Sequence, residues 1–181
     1  MVPTLNSMLD WALWYAITFG WHIFPLRPRS KEPFSGIGID QATTNPDQIR
    51  QWWTRWANAN IGLHCGPSGV IALDLDTYKE NYAGAELLTR EERQTTTSLT
   101  GNGGEHLLYQ MPVGEQFGNS TGQLPLGADI RGRNGYIVLP PSVHPSGTRY
   151  QWEHGYGPHE LRPQPLPAKI YHLLKAAQTS L

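Results

Sequence analysis

Two aspartates stand one residue apart at the end of an apolar run, in the stretch GVIALDLDT that covers residues 69 to 77. Alternate side chains of a β-strand share a face, so Ile71, Leu73 and Leu75 are expected to point into a core. Asp74 and Asp76 then lie together on the opposite face. Because neighbouring carboxylates repel each other, their pairing on a mostly buried strand predicts a bound cation or a strand end open to water.

Other residues suited to chemistry are spread along the chain. They are His106 after a glycine loop, Gly104 within that loop, Asp129 two residues before Arg131, and Lys31 in the most cationic stretch, RPRSKEPFSGIG. The loop glycines would let backbone amides approach a triphosphate, although the chain contains no Walker loop. Each feature alone is ambiguous. A lone histidine in a strand is more often a partly buried side chain, and Asp129 with Arg131 also fits a surface ion pair.

Taken together, these residues predict phosphoryl-transfer chemistry. Two-metal sites hold their ions roughly 3.5–4 Å apart and need carboxylates at fixed backbone positions. Asp74, Asp76 and Asp129, on predicted neighbouring strands, would provide them for Mg²⁺ or Mn²⁺. Arg131, on the strand face that carries Asp129, would neutralise phosphate oxygens of a nucleoside triphosphate, and His106 would donate a hydrogen bond to them.

Composition narrows the class of protein. The chain has 181 residues and a formal net charge of −1, so a nucleic acid must be held locally or through metal rather than by a global positive field. Cys65 is the only cysteine, which excludes a disulfide within the chain and a cysteine-based zinc element. The longest apolar stretch, residues 11–19, is too short to span a bilayer, so a cytoplasmic protein without membrane contact is expected.

Hydrophobic periodicity and turn residues predict the elements that position these side chains. Helices are expected over roughly residues 6–19, after the cap Asn45-Pro46, and over roughly residues 168–178. The tryptophans of the second helix recur at helical spacing and are interpreted as core rather than as a stacking surface for bases. Two hairpins are expected, one across residues 60–76 and one around the turn at residues 133–135.

Five stretches, in this order along the chain, resemble the motifs of one protein family: WHIFPLRPRSKEP, DQATTNPDQIRQWW, NIGLHCGPSGVIALDLD, GNGGEH and GADIRGRNGYIVLPPSVHPSG. The family is the primase–polymerase domain of plasmid, phage and integrated-element replication proteins, within the archaeo-eukaryotic primase superfamily. The resemblance spans roughly residues 10–152. It implies an α/β (α+β) fold, with a catalytic core built on an antiparallel sheet like that of RNA-recognition (RRM) domains and a flanking N-terminal α/β lobe.

The resemblance also implies roles for individual residues. By position, the family's catalytic and metal-binding residues fall on the three carboxylates and the histidine already singled out, Asp74, Asp76, His106 and Asp129. Lys31 and Arg131 match basic positions of the family, which with His106 and Gly104 would bind nucleotide. The implied reaction is template-directed DNA synthesis from dNTP or NTP on a single-stranded DNA template, with a primer, using two Mg²⁺ or Mn²⁺ ions and no zinc.

The expected organisation is a single catalytic domain over residues 1–181, with an N-terminal lobe (1–65), a catalytic sheet lobe (66–155) and a C-terminal loop and helix (156–181). The family further implies a larger replication protein with helical and helicase domains downstream, in the cytoplasm of a bacterial, archaeal or phage-infected cell.

Other functions remain open at this stage. The first is a nucleotide- or nucleic-acid-binding module that keeps the fold without turnover. A sugar-nucleotide transferase would explain the D-x-D pair but not the stretches around His106 and Asp129. A tyrosine-type replication endonuclease is disfavoured because the chain has no His-x-His motif.

Overall fold

The computed structural model describes residues 4–120 and 124–179. Over these ranges the helices are α1 (Met8–Phe19), α2 (Pro46–Arg55) and α3 (Ala168–Thr179). The strands are β1 (Ile23–Leu26), β2 (Asn60–His64), β3 (Val70–Leu75), β4 (Thr96–Leu99), β5 (Glu105–Gln110), β6 (Ala128–Arg131), β7 (Tyr136–Leu139), β8 (Gln151–Trp152) and β9 (Gln164–Pro165). The fold is therefore mixed α/β, as predicted. None of the helices in these ranges is long and apolar enough to cross a membrane.

The predicted helices form where capping residues and apolar periodicity place them. Ser7 caps α1, and its hydroxyl accepts a hydrogen bond from the Asp10 amide while the Asp10 carboxylate accepts one from the Ser7 amide. Gly20 ends this helix in the left-handed conformation, with φ of 69°. Asn45 caps α2, and Pro46 occupies its first turn, as the sequence indicated. Trp53 is buried and its indole donates to the Ala59 carbonyl, which confirms the core interpretation of that face.

Two sheets make up the centre of the molecule. The small sheet has the order β1-β2-β7, and the large sheet has the order β6-β3-β5-β4-β8. The pairings within both orders are antiparallel, and β9 adds a parallel pairing at β5. The small sheet thus combines two strands from residues 1–65 with one strand from the segment expected to form the catalytic lobe. The likeness to an RRM sheet stays a prediction.

The large sheet is buried on both faces. Ile71, Leu73 and Leu75 of β3 belong, as predicted, to one apolar core, which also receives Ile170 and Leu174 of α3. Val70 and Ala72, on the face that carries Asp74, are buried in a second core together with the small sheet, α1 and α2. The face that carries Asp74 is therefore apolar and buried at Val70 and Ala72 and becomes polar only towards the end of β3.

The predicted hairpin between β2 and β3 does not form. β2 pairs with β1 and β7, whereas β3 pairs with β5 and β6 in the other sheet. Residues 65–69 do form a tight turn, which is closed by a hydrogen bond from the Val70 amide to the Cys65 carbonyl. Both strands are buried along almost their whole length. Each is paired on both edges, β2 within the small sheet and β3 within the large one, so the chain crosses from one sheet to the other.

The hairpin predicted around residues 133–135 is also replaced by a crossover. The Gly135 amide donates to the Gly132 carbonyl, so the Asn-Gly turn is present. β6 nevertheless joins the large sheet and β7 the small one. The two crossovers pack side by side, with the Cys65 amide donating to the Gly135 carbonyl at 3.0 Å. A turn sequence fixes the reversal of the chain but not the partner of the strand that follows.

Candidate active site

One row of side chains crosses the large sheet in register. Asp74 of β3 lies opposite His106 of β5 on one side and Asp129 of β6 on the other. Ser98 of β4 continues the row beyond His106. Because directly opposed residues of an antiparallel pair share a face, these four side chains point to the same side of the sheet. The structure thus brings together three residues that the sequence singled out, from strands far apart along the chain.

Arg131 joins this row as a cation between two carboxylates. It lies two residues from Asp129 on β6 and therefore on the same face. Its Nη2 atom lies 3.4 Å from Oδ2 of Asp74 and 3.9 Å from Oδ2 of Asp129. Nε2 of His106 lies 3.6 Å from the other carboxylate oxygen of Asp74. Asp74 is therefore the centre of the cluster, with a cation on one side and an imidazole on the other.

Burial and charge shift the titration of this cluster. Burial raises the pKa of Asp129; the Arg131 guanidinium opposes this shift, and the carboxylates of Asp74 and Asp76 add to it. Burial lowers the pKa of His106 and outweighs the opposite effect of Asp74. The uncharged form of His106 is therefore favoured, and the negative charge of the carboxylates favours an added cation.

Asp76 lies just outside the strand that was expected to carry it. β3 ends at Leu75, and the chain turns after Asp76, where the Lys79 amide donates to the Asp76 carbonyl. The Lys79 ammonium lies 2.5 Å from Oδ2 of Asp76. This ion pair holds the carboxylate beside the turn, and alternation along a strand could not predict it.

A cavity of about 420 Å³ opens between the two sheets beside this cluster. From the large sheet, Asp74, His106 and Arg131 line it; from the small sheet, Tyr136 does. Lys31 lines it from the basic loop between β1 and α2. The cavity therefore has one carboxylate, one imidazole and two cations on its wall, a combination suited to an anionic ligand that also carries a metal ion.

The basic loop is fixed to the small sheet through its backbone. The Asn60 side-chain amide donates to the Ser30 carbonyl at 2.9 Å, and the Tyr136 hydroxyl donates to the Lys31 carbonyl at 2.9 Å. Asn60 is buried and also bonds both polar groups of the Val143 backbone. These contacts place the Lys31 side chain at the cavity although the loop itself has no regular structure.

The glycine loop before His106 packs tightly but does not line the cavity. The Gly104 amide donates to the Thr100 hydroxyl at 3.0 Å, and a Cβ at this position would lie 2.7 Å from the Leu75 carbonyl oxygen. A Cβ on Gly101 would lie 2.3 Å from Cβ of His144. Close packing therefore explains why glycine is required at both positions. A nucleotide contact by Gly104 stays a prediction.

The residues fit a divalent metal ion by their chemistry rather than by a ready-made ligand cage. Over residues 4–120 and 124–179, no group of three or more His, Cys, Asp or Glu side chains is close enough to hold a metal ion. Asp74 contacts Arg131, and Asp76 contacts Lys79. Mg²⁺ and Mn²⁺ nevertheless prefer carboxylate oxygens, and a cation would favour the charged form of Asp129, whose pKa is raised by burial and, to a smaller extent, by the carboxylates of Asp74 and Asp76.

Sequence reasoning missed two residues of this site. Tyr136 lines the cavity because β7 pairs with β2 and faces the large sheet across the gap, whereas the predicted hairpin would have placed it beside β6. Ser98 extends the row of polar side chains, but nothing in the stretch TTTSL distinguishes its hydroxyl from those of the neighbouring threonines. Only strand register identifies Ser98.

Comparison with known proteins agrees with this geometry. The family model described as "Bifunctional DNA primase/polymerase, N-terminal", or Prim-Pol, matches residues 12–169. No curated protein matches the chain. The family match covers both sheets, the row of polar side chains and the cavity beside it. Because the match extends over most of the chain, the protein belongs to the Prim-Pol family of bifunctional DNA primase/polymerase N-terminal domains.

Proposed function

We propose that this domain catalyses template-directed transfer of a nucleotide from a dNTP or NTP to a 3′-hydroxyl on DNA. The hydroxyl loses its proton to solvent and its oxygen forms a bond to the α-phosphorus, the bond from that phosphorus to its bridging oxygen breaks, and pyrophosphate leaves. Family membership makes the chain a nucleotidyltransferase-type enzyme that acts on DNA and nucleotides. The observation that best supports the specific reaction is the convergence of Asp74, His106, Arg131 and Lys31 on one cavity.

The cationic and imidazole groups are proposed to bind the triphosphate. Arg131 lines the cavity from the large sheet and Lys31 from the basic loop, so a polyphosphate between them can contact both. His106 lines the same cavity, and burial lowers its pKa, which favours the uncharged ring, so its N–H can donate to a phosphate oxygen without adding charge. The net charge of the chain is −1, so these local cations, rather than a global field, attract the nucleotide.

Asp74, Asp76 and Asp129 are proposed to hold Mg²⁺ or Mn²⁺. Ions of this class lower the pKa of an attacking hydroxyl and stabilise the leaving pyrophosphate when bound. Asp74 contributes to the cavity wall directly. Asp76 can take part once its carboxylate separates from Lys79. The triphosphate would complete the ligand set, since Mg²⁺ usually takes only one or two protein carboxylates.

A binding module without turnover is the second candidate. It is favoured by the ion pairs that engage two carboxylates of the site, Asp74 with Arg131 and Asp76 with Lys79. A module of this kind would bind nucleotide in the same cavity and extend no primer. The two functions therefore differ in whether the protein extends a primer.

Extension of a labelled primer on a DNA template tests the proposal. The assay compares Mg²⁺ with Mn²⁺, dNTPs with NTPs, and the wild type with Asp74→Asn, which removes the charge and keeps the shape. Asp47→Asn is the matched control, because this aspartate is 93% exposed on α2 and lies in an exposed ion pair with Arg50. We expect extension by the wild type and by Asp47→Asn, and a loss of at least about a hundredfold in Asp74→Asn, as for removal of a key electrostatic group.

Two outcomes would contradict the polymerase proposal. Equal extension by the wild type and Asp74→Asn would show that the carboxylate cluster is not the site. A folded wild type that binds dNTP but extends no primer with either metal would support the binding module. Thermal unfolding of each variant separates loss of the site from loss of the fold.

A further inference from the structure

Two buried polar atoms without hydrogen-bond partners lie on neighbouring strands. In the described part of the chain, four buried side-chain atoms have no partner: Nδ1 of His22, Oγ of Ser98, Nδ1 of His106 and Oγ of Ser120. Ser98 is 0% exposed and His106 is 6% exposed. Leaving a buried polar group unsatisfied is costly, so each such atom needs an explanation.

Strand register makes Ser98 and His106 direct neighbours. They are opposed residues of the antiparallel pair β4 and β5. The Cβ atoms of opposed residues lie about 4.5–5.5 Å apart and their side chains share a face. A serine hydroxyl takes one of three staggered positions about its Cα–Cβ bond, its hydrogen rotates to suit the partner, and it both donates and accepts. Oγ of Ser98 and Nδ1 of His106 can therefore each satisfy the other by a hydrogen bond, either directly or through one buried water.

The surroundings of the imidazole fix which nitrogen carries the hydrogen. Nε2 of His106 lies 3.6 Å from a carboxylate oxygen of Asp74, which only accepts hydrogen bonds. A bare Nε2 would face that oxygen lone pair to lone pair, so Nε2 carries the hydrogen. With the hydrogen on Nε2, Nδ1 has a free lone pair and requires a donor. Tyr150 is the aromatic neighbour of this ring, with 6.1 Å between the ring centroids and planes 27° apart.

We infer that Ser98 is a positioning residue: its hydroxyl donates to Nδ1 of His106 and keeps the Nε2 hydrogen directed at Asp74 and the cavity. The part of this inference that concerns the reaction rests on the proposed function. The same role is known for groups behind catalytic and metal-binding histidines, where the second ring nitrogen sets the tautomer of the first. Without the hydroxyl, the ring can exchange tautomers and rotate, and the donor to the phosphates is lost for part of the time.

The test measures the tautomer of His106 directly, on the full ¹⁵N-labelled chain without metal or nucleotide. Long-range ¹H–¹⁵N correlation of the imidazoles at neutral pH reports which nitrogen is protonated, and His106→Gln identifies the signals. The variants are Ser98→Ala, Ser98→Thr, which retains a hydroxyl, and Ser120→Ala as the control. Ser120 is also buried with an unpartnered hydroxyl, but it lies away from His106. Primer extension is measured on the same proteins.

We expect a single Nε2–H tautomer in the wild type, in Ser98→Thr and in Ser120→Ala, and a mixture of tautomers in Ser98→Ala. Extension by Ser98→Ala should fall about three- to tenfold, the factor that corresponds to one hydrogen bond of ordinary net strength, and should recover in Ser98→Thr. Unchanged imidazole signals in Ser98→Ala would overturn the inference whatever the activity. A changed tautomer with unchanged extension would overturn the role in the reaction. If the wild type extends no primer, the proposed function fails, and the spectra still decide the contact.

Discussion

Replacing Gly62 by alanine should destabilise the small sheet through one aromatic ring. Gly62 lies in β2, the central strand, and pairs with Phe24 of β1 on one side and Val138 of β7 on the other. The Phe24 ring covers the glycine, so that a Cβ there would lie 2.7 Å from Cε1 and 2.8 Å from Cζ. Aromatic side chains commonly cover a glycine on a neighbouring strand in this way.

The magnitude follows from how little the ring can move. Carbon atoms rest about 3.5–4.0 Å apart, so the ring would have to shift by about 1 Å. Phe24 is 0% exposed and packs edge-on against Tyr136, with ring centroids 5.3 Å apart. Overpacking of this kind costs about 1–3 kcal/mol, and replacing a glycine offsets about 0.4–1 kcal/mol by restricting the unfolded chain. We expect a net loss of about 1–2 kcal/mol in the free energy of unfolding, or a fall in Tm of about 2–8 °C.

Urea unfolding followed by circular dichroism would measure this loss. Gly118→Ala is the control, because no atom lies within 4 Å of its added Cβ, and it should be nearly neutral. In the double variant of Gly62→Ala with Phe24→Leu, the smaller side chain makes room, so the double variant should be less destabilised than the sum of the single variants. Strict additivity, or a Gly62→Ala protein as stable as the wild type, would refute the steric explanation.

Three further predictions concern a helix end, an ion pair and the candidate metal site. Ser7→Ala removes the cap of α1 and should lower the free energy of unfolding by about 1 kcal/mol in urea titrations; no change would mean that the cap does not form in solution. Hydrogen bonds from Lys175 and Tyr171 lower the pKa of Glu115, so its contribution to stability is complete above the usual glutamate pKa and is lost as the pH falls through the lowered value. The stability difference between wild type and Glu115→Gln should therefore shrink on acidification, and a difference that is constant with pH would contradict this. Lys79→Met frees the Asp76 carboxylate and removes a competing cation, so the Mn²⁺ concentration for half-maximal primer extension should fall by up to about fivefold. An increase in that concentration would indicate that Lys79 itself binds phosphate.

Local chemistry was sufficient to predict the helices and the identity of the polar cluster. Ser7, Asn45 and Gly20 act on backbone groups within a few residues of themselves, so their effect does not depend on the rest of the fold. The alternation around Asp74 likewise follows from the geometry of a single strand. For these features, sequence and structure agree.

Local sequence features could not predict which strands pair with each other. The turns at residues 65–69 and 132–135 are present, but each joins strands of different sheets. Which strands pair depends on how all apolar faces can be covered at once, and that is a property of the whole chain. The same applies to Asp76, which is held by Lys79 in a turn that begins where β3 ends.

The sequence by itself determined which residues we propose for the chemistry and, through five ordered motifs, the family of the domain. Tertiary structure alone decided how these residues are positioned relative to one another. Register across the large sheet aligns Ser98, His106, Asp74 and Asp129 in one row, and the crossover to β7 closes the cavity with Tyr136. The physical reason is that residue type and short-range turns are local, whereas register and layer packing minimise the exposed apolar surface of the entire chain.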